Sequence, residues 1–159
     1  MKIKLLITGG TIDKTYNQLT GELEFEKTHI VQMLNRGHSM VESISEVVFL
    51  KDSLILTDED RQLILSKCQS ADENNILISH GTSTIIKTAQ LLGQNIKHKT
   101  VVLFGAMVPY SMAESDALFN LGFAFSSVQT LSNGVYVAMN GRIFDFDKVE
   151  KNKKLGIFE

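Results

Sequence analysis

Two short threonine motifs in this chain each follow an apolar run. T-G-G-T-I at residues 8–12 follows the run 3–7, and H-G-T-S-T at residues 80–84 follows the run 76–78. Apolar runs of this kind predict buried strands, and parallel sheets bind ligands beyond the carboxyl ends of their strands. We therefore expect both motifs to lie in one crevice. A threonine hydroxyl there can act as a nucleophile if a nearby base takes its proton.

The elements that must position these motifs alternate between strand and helix patterns along the chain. Strands are predicted at residues 3–7, 43–50, 75–79, 100–104 and 135–140, with 142–144 as a possible short extension. Helices are predicted at residues 28–35, 57–70, 83–92 and 115–131. This alternation is typical of the α/β class. We expect one domain over residues 1–159, a three-layer α/β/α sandwich with a mainly parallel, flavodoxin-like or Rossmann-like sheet.

Two polar segments interrupt this pattern. Residues 8–27 are long for a connection, which predicts a functional loop. Residues 145–159 form a charged tail that contains Lys148, Lys151, Lys153 and Lys154. A solvated run of charges is the ordinary interpretation of such a tail.

The composition excludes several classes of function. The 159 residues carry a net charge of −2 and a pI near 6.1, which argues against a nucleic-acid partner. Cys68 is the single cysteine, so no internal disulfide forms, and we expect it on the buried side of a helix. Neither a metal-ligand cluster nor a nucleotide-binding motif is present, so no cofactor is expected. No apolar run has the length of a signal peptide or a membrane span, and we expect a cytoplasmic protein.

Five segments, in order, resemble signatures of the bacterial-type L-asparaginase family. T-G-G-T-I matches fully, and H-G-T-S-T resembles the family's H-G-T-D-T. Gly105-Ala106-Met107 matches G-A-M, residues 115–121 resemble S-x-D-G-P-F-N-L, and residues 51–60 resemble the segment with the substrate-binding serine. The stretch from Asn140 to Lys151 parallels the one that brings the catalytic lysine. The resemblance spans nearly the whole chain and implies an N-terminal catalytic domain, with the family's smaller C-terminal domain absent.

The resemblance implies roles for individual residues. Thr11 is the nucleophile, Tyr16 is the loop tyrosine that assists it, and Lys151 is the base or proton relay for Thr82. Backbone N–H groups near Gly10 or Thr82 hold the oxyanion. The residues expected to bind substrate are Gly10, Asp52, Ser53, Gly81, Ser83 and Ala106, with Ser53 bonded to the α-carboxylate.

Each role has a structural alternative. Thr11 and Thr82 are also suited to a strand end or a helix N-cap, Tyr16 to a surface loop and Ser53 to a turn. His80, which begins the second motif, is expected to pack or to form local hydrogen bonds.

Two positions depart from the family pattern. Ser83 stands where the family has the Asp that pairs with the α-ammonium of the substrate, and Leu54 stands where a polar residue is common. The resemblance predicts an asparaginase-like amidohydrolase that releases ammonia from L-asparagine or a related small amide through a threonine nucleophile. The alternative is a non-catalytic ligand-binding or assembly module of the same fold. We also expect a homodimer or a higher homo-oligomer.

Overall fold

A computed structural model describes all 159 residues of the chain. It contains four helices and ten strands, with short 3-10 turns at Thr11–Asp13 and Ser53–Ile55. The elements in chain order are β1 (Ile3–Gly9), β2 (Lys14–Asn17), β3 (Glu22–Phe25), α1 (Ile30–Arg36), β4 (Ser43–Lys51), α2 (Asp58–Ser70), β5 (Asn75–Ser79), α3 (Ile85–Asn95), β6 (Thr100–Phe104), α4 (Ala117–Thr130), β7 (Gly134–Met139), β8 (Arg142–Asp145), β9 (Lys151–Asn152) and β10 (Ile157–Phe158).

Six strands form the central sheet in the order β4-β1-β5-β6-β7-β8. The first five are parallel, and β8 pairs antiparallel with β7. Asn140 and Gly141 connect β7 to β8, with φ of 55° and 72°. Positive φ at both central residues is what a tight hairpin turn requires, and an Asn-Gly pair tolerates it best.

Side chains on the two faces of the sheet enter two separate cores. Leu6, Ile76 and Ile78 pack against α2 and α3 on one face. Leu5 and Leu77 pack against α1 and α4 on the other. Successive residues of a strand point to opposite faces, so apolar runs without polar alternation are buried on both sides. This confirms the predicted three-layer α/β/α fold with a mainly parallel sheet.

Helix α2 begins where the sequence predicts, and Ile64 and Cys68 face the core as expected, but Leu63, also expected to face inward, is 42% exposed. The Thr57 hydroxyl accepts from the Asp60 N–H and the Asp60 carboxylate accepts from the Thr57 N–H, which is a capping box. Cys68 is fully buried in this helix, and burial raises the pKa of its thiol to about 12. None of the four helices combines the length and apolarity needed to cross a membrane.

The two polar segments contain more regular structure than expected. Within residues 8–27, β2 and β3 form an antiparallel hairpin. In the charged tail, β9 and β10 pair antiparallel, and the tail is anchored in the core by Val149 and Phe158, both buried. The strands of the β2–β3 hairpin have four residues each, and those of the β9–β10 hairpin have two each. Strands so short and so rich in polar residues carry no clear period of two, so the sequence pattern does not mark them.

Candidate active site

The two threonine motifs lie against each other at the carboxyl ends of neighbouring strands β1 and β5. Thr8 Oγ1 donates to the Ser79 carbonyl at 2.6 Å, which joins the two strand ends. Gly10 has a φ of +83°, and a Cβ added to it would collide with the backbone nitrogen of Gly81. Only glycine fits this contact. The glycines of the motifs thus let the two backbones touch, as the shared-crevice prediction requires.

Thr82 and Lys151 meet although 69 residues separate them, because Lys151 Nζ donates to Thr82 Oγ1 at 2.9 Å. Burial lowers the pKa of the Lys151 ammonium below its ordinary value, and the positive charge of Lys153 lowers it further. The ammonium also lies 5.6 Å from the centre of the Phe158 ring, which helps to hold it in place. A lysine that loses its proton more readily than an exposed one therefore contacts a buried hydroxyl.

A polar network fixes the loop that follows β6. The Asp116 carboxylate accepts from the N–H groups of Met107 and Val108, each at 3.0 Å. Asn120, which is buried, donates to the Gly105 carbonyl at 3.0 Å and to Asp116 at 2.8 Å. These bonds satisfy loop amides and a carbonyl that have no partner in the sheet. The G-A-M segment is therefore held in one conformation.

The same network reaches the tail that carries Lys151. Asn120 Oδ1 accepts from the Asn140 N–H at 3.3 Å, and Asn140 Oδ1 accepts from the Phe158 N–H at 2.9 Å. Phe158 pairs directly with Lys151 across β9 and β10. The sequence motifs include Asn120 and Asn140 without indicating a role for either. The structure shows that they connect the G-A-M loop to the hairpin of Lys151.

Thr11 begins the 3-10 turn after β1 and is half-buried. The turn ends at Asp13, a fully buried residue whose Oδ1 accepts from the His29 N–H at 2.8 Å and from Thr28 Oγ1 at 3.1 Å. Thr15 Oγ1 lies 3.1 Å from His29 Nε2. Asp13 and His29 therefore join the two ends of the β2–β3 hairpin. No motif in the sequence marks Asp13, and sequence reasoning missed it.

Tyr16 lies on β2 of that hairpin, opposite Leu23. Its side chain is 56% exposed. Among the four residues expected to carry the chemistry, the one side-chain hydrogen bond is that between Thr82 and Lys151.

Asp52 caps the 3-10 turn at Ser53–Ile55. Its Oδ1 accepts from the Leu54 N–H at 3.0 Å, and its Oδ2 accepts from Lys14 Nζ. The Lys14 hydrogen bond is the main reason that the pKa of this carboxyl lies below its ordinary value. The carboxylate is thus charged at neutral pH and held between a backbone amide and a lysine.

Four further residues expected to bind substrate cluster around the second motif. Ser53 is buried, and a Cβ added to Gly81 would lie 2.5 Å from Ser53 Oγ. Ala106 is buried in the loop after β6, whereas Ser83 is exposed and lines an open crevice beside Lys151. Ser53 and Gly81 are therefore in close contact, and Ser83 faces the space in front of the lysine.

His80 forms local hydrogen bonds, as expected. Its Nδ1 lies 2.9 Å from the Gly81 carbonyl and its Nε2 lies 2.8 Å from Thr88 Oγ1. The Gly81 carbonyl can only accept a hydrogen bond, so Nδ1 carries the proton of the neutral ring. Nε2 then accepts from the Thr88 hydroxyl. Burial lowers the pKa of His80 to about 4, which keeps the ring neutral. No group of three or more His, Cys, Asp or Glu side chains is arranged to hold a metal ion.

A parallel sheet with two threonine motifs at its carboxyl edge, one of them bonded to a lysine, defines an α/β protein whose candidate ligand site lies at that edge. Comparison with known proteins identifies the family. The chain belongs to the asparaginase family, because the model of the asparaginase N-terminal domain matches residues 2–157.

Relatives and solved structures agree with this assignment. The L-asparaginase of Thermococcus kodakarensis is 28% identical over 162 residues, which cover 99% of this chain and 49% of that protein. The structure of the thermostable L-asparaginase from that organism matches with a TM-score of 0.88 and 29% identity, covering 100% of this chain and 51% of that one. A probable cytoplasmic L-asparaginase from Campylobacter jejuni matches with a TM-score of 0.83 and 26% identity, covering 99% and 51%. The chain thus spans about half the length of the relatives it matches.

Proposed function

We propose that this chain carries the reaction site of an asparaginase-type amidohydrolase, which releases ammonia from L-asparagine or a related small amide. The observation that carries the proposal is the 2.9 Å hydrogen bond from Lys151 to Thr82 at the carboxyl edge of the sheet. A solvated charge run does not need a buried threonine as partner, whereas a proton relay does. The names of the matched relatives support the same class of reaction.

In the proposed reaction, the Thr11 hydroxyl attacks the amide carbonyl and its oxygen bonds to the carbonyl carbon. Tyr16 assists removal of the Thr11 proton, and the Thr82–Lys151 pair passes a proton to the departing nitrogen. The C–N bond breaks and ammonia leaves. Water then attacks the acyl-threonine ester and one of its protons returns to the Thr82–Lys151 pair. The acid leaves, and Thr11 recovers its hydroxyl proton. Backbone N–H groups near Gly10 or Thr82 stabilise the oxyanion.

The proposed substrate site surrounds these groups. Ser53 hydrogen-bonds a carboxylate of the substrate, while Asp52 holds the turn that presents Ser53. Gly81 and Ala106 keep the backbone close to the ligand, since neither has a side chain beyond Cβ. Ser83 faces the remaining part of the substrate.

The proposal is tested by replacing the lysine. We expect Lys151→Met to reduce ammonia release from an amide panel by about 10²-fold or more, because Thr82 loses its proton partner. The matched control is Lys154→Met, which changes an exposed lysine of the same tail. The panel contains L-asparagine, L-glutamine and simpler amides, and circular dichroism checks the fold.

Two outcomes would contradict the proposal. Full activity in Lys151→Met would assign the lysine to a solvated tail. A wild-type protein that hydrolyses no amide and forms no acyl-threonine adduct by intact mass would favour the ligand-binding or assembly module.

We propose in addition that the protein is a homodimer or larger homo-oligomer in the cytoplasm. Leu54 and Ile55, beside Ser53, are 73% and 67% exposed, which leaves apolar surface at the rim of the site. A second subunit would cover it. The cytoplasmic assignment is supported by the name of the Campylobacter jejuni relative. Light scattering at micromolar protein tests the assembly, and a monomeric mass would contradict it.

A further inference from the structure

The crevice beside Lys151, the partner of Thr82, is lined by positive charge and by no acid of this chain. Its volume is about 310 Å³, which suits a small substrate. Its lining consists of Leu54, Ser83, Met107, Lys151, Lys153 and Gly156. Two of these side chains are lysines and none is a carboxylate, so the charged groups that this chain presents to a ligand here are all cationic.

The two carboxylates that bond to the backbone of lining residues, those of Asp52 and Asp116, have other partners as well. Asp52 accepts from Lys14 and from the Leu54 N–H, so its charge is compensated outside the crevice. Asp116 accepts from two backbone N–H groups and from Asn120. Neither carboxylate is part of the crevice lining. A cationic group on a ligand would therefore find no anionic partner among the lining residues.

This charge pattern discriminates between ligands of similar shape. An ammonium group placed beside Lys151 and Lys153 is repelled, and the Ser83 hydroxyl offers only a neutral acceptor. A carboxylate in the same place is attracted and can accept charge-assisted hydrogen bonds. Repulsion between the two lysines and a ligand ammonium therefore lowers the affinity for that ligand, even if attraction to a carboxylate adds little net affinity.

We propose that this site acts on the amide of a carboxylic acid that carries no amino group, with a preference over the corresponding amino acid. The simplest such substrate is succinamic acid, which is L-asparagine with the α-amino group replaced by hydrogen. The reaction is otherwise that proposed above: the amide C–N bond breaks, a C–O bond to water forms, and the products are succinate and ammonia. This inference rests on the proposed function and specifies its substrate class.

The first experiment compares kcat/KM of the wild-type chain for succinamate and for L-asparagine at neutral pH and low salt, where surface charges are least screened. We expect succinamate to be preferred by about tenfold or more. Equal values, or a preference for L-asparagine, would overturn the inference and leave the amidohydrolase proposal standing.

A binding measurement separates the two proposals if hydrolysis is absent. Calorimetry then compares the affinities of succinamate and L-asparagine for the same protein. Tighter binding of succinamate would keep the ligand class while rejecting catalysis. Equal or reversed affinities would reject the ligand class as well.

Two variants locate the preference in the crevice. Ser83→Asp introduces the missing anion, and we expect it to lower the KM for L-asparagine and to reverse or abolish the preference. The matched control is Ser126→Asp, which adds the same charge at an exposed serine of α4. Lys153→Met should weaken the preference for succinamate about threefold, whereas Lys154→Met should not change it. An unchanged preference in Ser83→Asp would overturn the inference that the charge of the crevice lining sets the preference.

Discussion

The two halves of the candidate site differ in how firmly the fold holds them. The relay half, which comprises Thr82, Lys151 and the Asp116–Asn120–Asn140 network, is joined by hydrogen bonds to three separate parts of the chain. The loop half, residues 11–29, is a hairpin whose ends meet at the buried Asp13 and whose strands contain no fully buried residue. Tyr16, on that hairpin, is more than half exposed.

This difference indicates how the chain divides its tasks. Proton transfer needs donor and acceptor at hydrogen-bond distance, so the relay half benefits from a rigid frame. A hairpin held mainly at its base can move toward a ligand without disturbing the sheet. We therefore expect changes in the relay half to affect both stability and chemistry, and changes near the hairpin tip to affect chemistry alone.

The largest expected effect on ammonia release comes from removing the threonine hydroxyl of either half. Thr11→Ala and Thr82→Val should each reduce ammonia release by about 10³-fold or more, and the double variant should be no worse than either single one. Groups that act as a unit give such non-additive losses. Thr130→Val, at an exposed threonine of α4, is the control. Fully additive losses would show that the two halves act independently.

A smaller effect is expected when the network of the relay half is cut. Asn120→Ala removes bonds to Gly105, Asp116 and Asn140, so buried polar groups lose their partner. The free energy of unfolding should fall by about 2 kcal/mol or more in urea titrations. Asn95→Ala, which removes an exposed amide at the end of α3, should change it by less than about 0.5 kcal/mol. Equal losses at the two positions would mean that the network does not stabilise the fold.

The smallest effect concerns the base of the hairpin. Burial raises the pKa of Asp13 above its ordinary value of 3.8. The folded chain therefore binds this proton more tightly than the unfolded chain, and the stability it contributes is lost as the pH rises from 3.8 through the raised pKa. Asp13→Asn has no such proton and keeps one carbonyl oxygen to accept from His29.

The measurement for Asp13 is a difference between two proteins. The unfolding free energy of Asp13→Asn minus that of wild type should increase across this pH window and become constant above it. The subtraction removes the opposite trend of paired acids such as Asp60, whose pKa is lowered mainly by Lys51. A flat line for Asp13→Asn would show that its carboxyl does not titrate with folding.

The fold was largely predictable because its signals are local. Unbroken apolar runs such as residues 76–78 mark strands buried on both faces, and the Thr57–Asp60 pair marks a helix start. The Asn140-Gly141 turn was also readable in principle, since this dipeptide is typical of tight hairpins. Short hairpins of polar residues were not predictable, because β9 and β10 have only two residues each and carry no periodicity.

The candidate site was predictable only in part. The residue types at Thr11, Thr82 and Lys151 were identified from the family resemblance. The burial of Asp13 could not be foreseen, because a carboxylate is usually exposed. Asp13 is buried because His29 and Thr28, which lie 15 residues or more further along the chain, donate hydrogen bonds to it. The roles of all these site residues stay predictions, those of Thr11, Thr82 and Lys151 as much as those of Tyr16, Gly10, Asp52, Ser53, Gly81, Ser83 and Ala106.

The sequence by itself determined the order of the helices and of the strands of the central sheet, the positions of both threonine motifs at strand ends, and the membership of a family. Each of these depends on neighbouring residues or on their order. Only the tertiary structure decided that Lys151 reaches Thr82 and that Ser83 faces two lysines without an acid. Those contacts join residues far apart in the chain. Their distances follow from how Phe158 and Val149 anchor the tail in the core, which no local pattern encodes.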